Sequence, residues 1–239
     1  MIVKSRSFFQ NSVLVSLSFV MMSLGLIVLP VMSSSNLDQN ALAQTGSSAA
    51  SQAQGQRPNI LLVVAADLGF SDIGSFGSEI STPNLDQIAS EGKILTNYHT
   101  ASTCSPARAA MLTGVDWHIG GIGTMYELIA ENQKGKPGYE TYINNRVVTV
   151  AELLKDSGYH TLMSGKWHLS GHGTEHPDSN PYSRGFDHVF SLLGDGGNHW
   201  SSAAIFPGLG SAYVENNTTV DRPGNNTLFS TNLFTDELI

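Results

Sequence analysis

Hydrophobic and polar positions alternate along the chain in distinct regimes. Residues 13–32 form a long apolar run mixed with small residues. Residues 44–57 (QTGSSAASQAQGQR) have no hydrophobic periodicity and read as a Ser/Ala/Gln/Gly linker. From Pro58 the pattern becomes that of a folded domain. Asn59 to Ala65 (NILLVVA) is a continuous apolar run ended by DLGFSD, which predicts a buried strand of a parallel or mixed sheet with a polar loop at its carboxyl end. In STPNLDQIASEG, Thr82 can cap a helix, Pro83 suits its first position and Gly92 stops it. KILTNYHTA predicts the next strand. SPARAAMLTG predicts a helix that opens after Cys104 and closes at Gly114, with Pro106 tolerated in the first turn. TVAELLKDSGYHTLMSGKWHL repeats the scheme, with a helix from Val150 to Ser157, a stop at Gly158 and a strand over Tyr159 to Ser164. Alternating strands and helices imply α/β layers, and such sheets collect ligands outside the carboxyl ends of their strands.

From Gly171 the pattern dissolves into Gly, Pro, Asn and Asp, and reads as loops. NNTTVDRPGNNT reads as a polar turn region. FSTNLFTDELI starts a helix inside which the sequence ends, so the chain is expected to be incomplete.

Composition sharpens this picture in three places. The chain has 239 residues, of which 41% are hydrophobic, enough for one sizeable core. Its formal net charge is -8, which disfavours nonspecific nucleic-acid binding, since that rests on Lys and Arg neutralising phosphates. The N-terminus combines Lys4 and Arg6, the apolar run and Ala41-Leu42-Ala43, an A-x-A cleavage site, and so reads as an export signal over residues 1–43. The alternative is an uncleaved anchor, because the apolar run is near spanning length; Pro30 and the A-x-A site favour cleavage. The expected location is periplasmic or secreted, with no stable membrane contact after cleavage.

An exported chain with one cysteine forms no internal disulfide. Cys104 is therefore buried and inert, or chemically active, or not a thiol in the mature protein. It lies at a predicted helix N-terminus, where free N–H groups and the dipole favour an anion. Arg108 follows one turn later and can point to the same end. Lys166 and His168, if GKWHL is extended, share one face with Trp167 opposite. Lys166 can neutralise an oxyanion and His168 can accept a proton.

CSPAR followed by AAMLTG resembles the sulfatase signature C-x-P-x-R. RPNILLVVAADLGFSDIGSFGSEISTPNLDQIASEG resembles the opening segment of that family, and GKWHL its internal Lys-x-His motif. The order and spacing are most similar to bacterial arylsulfatases, which share HTASTCSP, GIGTM and GKWHL. The resemblance implies an alkaline-phosphatase-like α/β fold with a mixed sheet sandwiched by helices, of which residues 58–239 are the N-terminal part. It implies hydrolysis of an aryl or carbohydrate sulfate ester. Cys104 would be oxidised by a separate maturation enzyme to formylglycine, whose hydrate attacks sulfur with one hydroxyl and expels sulfate with the other. Arg108 would stabilise the hydrate, Lys166 the sulfate oxygens, and His168 would take the proton from the second hydroxyl.

The family binds a divalent ion, typically calcium, between two adjacent aspartates, a downstream pair and the formylglycine. Asp67 matches the second aspartate and, with Cys104, forms the expected metal set. Ala66 stands where the first aspartate belongs and has no donor atom. The expectation is weakened metal affinity and reduced activity. Asp72 reads as a turn cap. Asp195, Asn198 and His199 in GDGGNHW read as a loop near the substrate mouth and not as the missing downstream pair. His118 follows the signature helix. His172 and His176 read as loop histidines, not a zinc pair. Asn216, Asn217 and Asn225 read as turns. The alternatives are a catalytically impaired paralogue or fragment, and a phosphoesterase relative; the latter class places Ser or Thr where Cys104 stands.

Overall fold

The computed structural model describes residues 57–206, 212–224 and 227–239, together with the backbone of Ile2–Lys4. The expected export signal and linker lie outside these residues, apart from Ile2–Lys4 and Arg57. Among the described residues six strands form one sheet. They are β1 (Ile2–Lys4), β2 (Ile60–Leu61), β3 (His160–Lys166), β4 (His188–Leu192), β5 (Tyr213–Glu215) and β6 (Thr218–Val220), in the spatial order β2-β1-β3-β4-β5-β6. β3 and β4 run parallel, with Leu162 opposite His188 and Lys166 opposite Leu192. The other neighbours are antiparallel. The helices are α1 (Pro83–Glu91), α2 (Cys104–Thr113), α3 (Val150–Asp156) and α4 (Ser230–Asp236). A mixed sheet with packed helices is the expected α/β class. No helix among the described residues is long and apolar enough to cross a membrane.

The two central helices follow their local signals. α2 begins at Cys104, carries Pro106 in its first turn and ends at Gly114, whose φ of 71° suits a glycine cap. α3 opens with a capping box: the Glu152 N–H donates to Thr149 Oγ1 at 3.1 Å, and the Thr149 N–H donates to Glu152 Oε2 at 2.6 Å. One cluster then joins Ala109 and Leu112 of α2, Ala151 of α3, Met163 of β3 and Val189 of β4 with Trp167, Phe186 and Leu193. Trp167 is fully buried, meets Phe186 edge-on, and donates its indole N–H to the Ser179 carbonyl at 2.7 Å. The side chains on either side of Trp167 are thereby fixed to the core.

Arg184 is the polar pin of this layer. It is 3% exposed. Nη1 donates to the Asn144 carbonyl and to Asn145 Oδ1, both at 3.1 Å. Nη2 donates to the Val147 carbonyl at 2.5 Å and to Glu152 Oε2 at 3.2 Å. Next to it, Gly185 has φ 96°, and a Cβ there would lie 2.4 Å from the Glu152 nitrogen. Only glycine lets this backbone pass so close to α3.

Several expectations are corrected. The run Asn59–Ala65 is not a buried strand: only Ile60–Leu61 pair in the sheet, and Val63 and Val64 are exposed. KILTNYHTA is not a strand. Residues 57–103 contain no buried side chain at all, so the burial that would hold an apolar run in a sheet is missing on that side. β3 runs two residues further than expected, to Lys166. β4 lies inside the stretch read as loop, because a strand buried on both faces shows no alternation. β5 and β6 form a hairpin around Asn216 and Asn217, so the turn there is as expected and its flanking strands were not. α4 closes at Asp236, before the last residue.

Candidate active site

Three segments bring chemistry to one place. The first is the N-terminus of α2, where Cys104 is partly exposed. The second is the carboxyl end of β3, where the chain leaves the sheet as Lys166-Trp167-His168. The third is the loop after β4, which carries Asp195. These are carboxyl ends of the parallel pair β3 and β4, where open sheets present their ligands.

Lys166 and His168 do converge, though not by the extended geometry expected. His168 has a left-handed backbone, φ 59°. That turn brings its ring back beside Lys166 while Trp167 stays in the core. Lys166 Nζ donates to Asp195 Oδ1 at 2.6 Å. His168 is 3% exposed and its Nε2 lies 3.1 Å from Glu127 Oε2. Its Nδ1 lies 3.3 Å from Asp195 Oδ1, off the hydrogen-bond axis, and is a buried nitrogen without a hydrogen-bond partner. When Nε2–H donates to Glu127, Nδ1 keeps the free lone pair. The ring is then a base aimed into the cluster, with its tautomer set by Glu127.

Arg108 completes the positive side. Nη1 donates to the Lys166 carbonyl at 2.7 Å, tying α2 to the end of β3. Burial pulls the guanidinium below its ordinary pKa, and the facing Cys104, Asp195 and Asp67 pull it back up. It stays cationic across the physiological range. Asp67, with φ 65°, places Oδ1 4.0 Å from Cys104 Sγ.

Cys104, His168 and Asp195 offer ligand atoms within 4.8 Å of one another. This set does not fit calcium, which takes six to eight oxygen ligands. One donor is sulfur and one nitrogen, Asp195 is already bound by Lys166, and Ala66 offers none. Asp67 is a carboxylate at Cys104 that also faces the Arg108 cation and has no ion pair among the described residues. Ala66 faces a cavity of about 550 Å³ that reaches Arg108 and Lys166.

Other candidates fall elsewhere. Asp72 accepts from the Gly69 N–H at 2.7 Å, the turn cap expected. His118 pairs with Asp116, His172 with Glu175, and His176 stacks on Tyr142. His199 bonds Ser230 at 2.7 Å. Asn225 lies outside the described residues. Glu127 was missed by sequence reasoning, since it stands 41 positions before His168 in a segment without pattern. A carboxylate in the otherwise apolar and small GIGTMYELIA was the available signal.

The sulfatase family model matches residues 58–222. The chain belongs to the sulfatase family. Its relatives include an uncharacterized sulfatase of Schizosaccharomyces pombe, 46% identical over 197 residues, covering 79% of this chain and 35% of that one. An arylsulfatase of Klebsiella aerogenes is 43% identical over 151 residues, covering 63% and 31%. The crystal structures of Ps i-CgsB, alone and in complex with k-i-k-neocarrahexaose, match with TM-score 0.56 and 28% identity, covering 76% of this chain and 40% of that one. The alkaline-phosphatase-like fold is therefore shared. The chain spans about a third of the length of these curated sulfatases. Sulfatases act on sulfated substrates and generally use formylglycine and a divalent metal.

Proposed function

We propose that this chain carries the nucleophile half of a sulfate-ester hydrolase, exported to the periplasm or secreted. The observation that supports this best is the convergence of Cys104, Arg108, Lys166 and His168 on one cluster at the sheet's carboxyl end. In this reading a maturation enzyme converts Cys104 to formylglycine, which supplies one hydroxyl for attack on sulfur and a second for release of sulfate. Cys104 Sγ stands where those oxygens would be, at the α2 N-terminus, and the site has room because the residue is partly exposed. The residues do the rest. Arg108 and the first-turn N–H groups hold negative charge at that position. Lys166 exchanges its Asp195 partner for a sulfate oxygen. His168 Nδ1 accepts the proton that frees the product. The substrate class is an aryl or carbohydrate sulfate, in keeping with the carrageenan oligosaccharide bound in Ps i-CgsB.

Glu127 is a positioning residue in this scheme. Glu127→Ala is expected to lower kcat on an aryl sulfate about 10- to 100-fold with KM changed less than threefold. Glu127→Gln, which still accepts from Nε2–H, is expected to restore most of the loss. A residue that only packed would shift stability and leave the kcat split unmoved.

Calcium is the ion the intact family site would take, and this chain's residues do not cage it. The impaired-paralogue reading rests on that same Ala66. In a full-length context, Ala66→Asp is expected to raise aryl sulfate turnover of the matured protein at least about tenfold in excess calcium. It is also expected to create a calcium-dependent rise in unfolding midpoint of roughly 5–10 °C near 100 times the Kd. Full turnover by the unaltered protein would remove Ala66 as a lesion. No turnover by either protein would remove the sulfate-ester reading for this chain. A phosphoesterase reading would require phosphate-ester turnover to dominate.

A further inference from the structure

A second concavity opens on the far side of the turn that carries Glu127. It is a groove of about 490 Å³ whose lining includes Tyr126, Tyr139, Tyr142, Lys134, Lys136 and Arg146, with one carboxylate, Glu140. Two features separate it from ordinary surface. The first is charge. The chain is acidic, net -8, with 12 Lys and Arg in all, and three of those cations stand around this one groove. The Lys136 ammonium has no ion-pair partner among the described residues. Lys134 is held by the exposed Glu131 at 2.5 Å, a pair in water and readily exchanged. Arg146, half-exposed, is held at 2.6 Å by Glu140, which is three-quarters buried, and keeps that partner.

The second feature is that each tyrosine ring is braced by a histidine. Tyr142 stacks on His176 with centroids 3.7 Å apart. Tyr126 stacks on His172 at 5.1 Å. Tyr139 meets His118 edge-on at 5.3 Å. Rings already held by a neighbouring ring lose little entropy when a ligand covers them. Flat aromatic platforms interleaved with cations suit a sugar chain, whose C–H faces lie on the rings while its anionic substituents meet the cations. Pocket size agrees, since clefts of 300–1,000 Å³ hold ligands of a few rings.

Tyr126 lines the groove, and the next residue, Glu127, holds His168. The groove and the cluster are thus the two sides of one turn. We propose that this groove is a subsite for a polyanionic oligosaccharide, engaging the part of a sulfated glycan beyond the ester that reacts. The proposal rests on the sulfate-ester reading for its purpose, but its binding does not need turnover.

The test is calorimetry on the unaltered protein with a chondroitin sulfate hexasaccharide, its chemically desulfated parent and inorganic sulfate. The sulfated hexasaccharide is expected to bind at least tenfold more tightly than either of the others. Lys136→Glu, an exposed change that leaves the fold intact, is expected to weaken that binding about tenfold. The same variant should hydrolyse a small monoanionic aryl sulfate within about twofold of the unaltered protein. Equal affinity for sulfated and desulfated sugar, or hexasaccharide binding indifferent to Lys136→Glu, overturns the subsite. Inorganic sulfate binding as tightly as the sugar reduces it to an adventitious anion site and likewise overturns it. Lys136-dependent binding without aryl sulfate turnover, in Ala66→Asp as well as in the unaltered protein, leaves the groove standing and removes the hydrolase reading. Aryl sulfate turnover with Lys136-independent binding does the reverse.

Discussion

Cys104→Ser, introduced beside Ala66→Asp, is expected to end turnover while permitting one chemical event. Serine presents one hydroxyl at the α2 N-terminus, with Arg108 still tied to the Lys166 carbonyl beside it. That hydroxyl can attack a sulfate ester and expel the alcohol. It leaves a serine sulfate with no second hydroxyl to break the S–O bond, so the ester persists. Steady-state hydrolysis should fall by roughly 10³-fold or more. Mass spectrometry of the Cys104→Ser peptide should show one added sulfonate after incubation with an aryl sulfate. Continued turnover by the serine variant would mean that the second hydroxyl is dispensable and that Cys104 is not the nucleophile's precursor. Cys104→Ala serves as the blank, with neither turnover nor added mass.

The second large effect concerns stability. Arg184→Leu fills a similar volume but strands the Asn144 and Val147 carbonyls and removes the partner of Glu152 inside the capping box. Its side chain is 3% exposed, so little water reaches those groups. Breaking such a buried set costs about 3–5 kcal/mol. The unfolding midpoint should drop by roughly 10 °C. Arg184→Lys should recover little, because one ammonium cannot span the Asn144, Val147 and Glu152 acceptors that the planar fork reaches. A loss under about 1 kcal/mol in Arg184→Leu would show that those carbonyls find other donors.

How much of this was legible depended on how local the signal was. The bounds of α2 and α3 could be read because a first-turn proline and terminal Gly114 and Gly158 act within a few residues. The meeting of Cys104 with Lys166 and His168 came from motif resemblance, and the structure reached it through a left-handed His168 that no periodicity encodes. Glu127 was invisible because its meaning lies in a partner 41 residues away. Asp195 reads from sequence as a loop residue, and its tie to Lys166 could not be foreseen from a glycine-rich loop. The apolar run at Asn59–Ala65 misled for the opposite reason: hydrophobicity states a wish for cover, and burial depends on what is there to supply it.

That last point has a dynamic consequence. The site is carried by two supports of unequal strength. Cys104, Lys166 and His168 hang on the cluster around Trp167, whereas Asp67 sits in a stretch, residues 57–103, without one buried side chain. Amide hydrogens of that stretch should exchange through local opening long before those of α3, β3 and β4. A cation or anion that engages Asp67 would then have to order its own half of the site. Its measured affinity would report that ordering as much as the contacts it makes, and would strengthen with anything that clamps the segment beforehand.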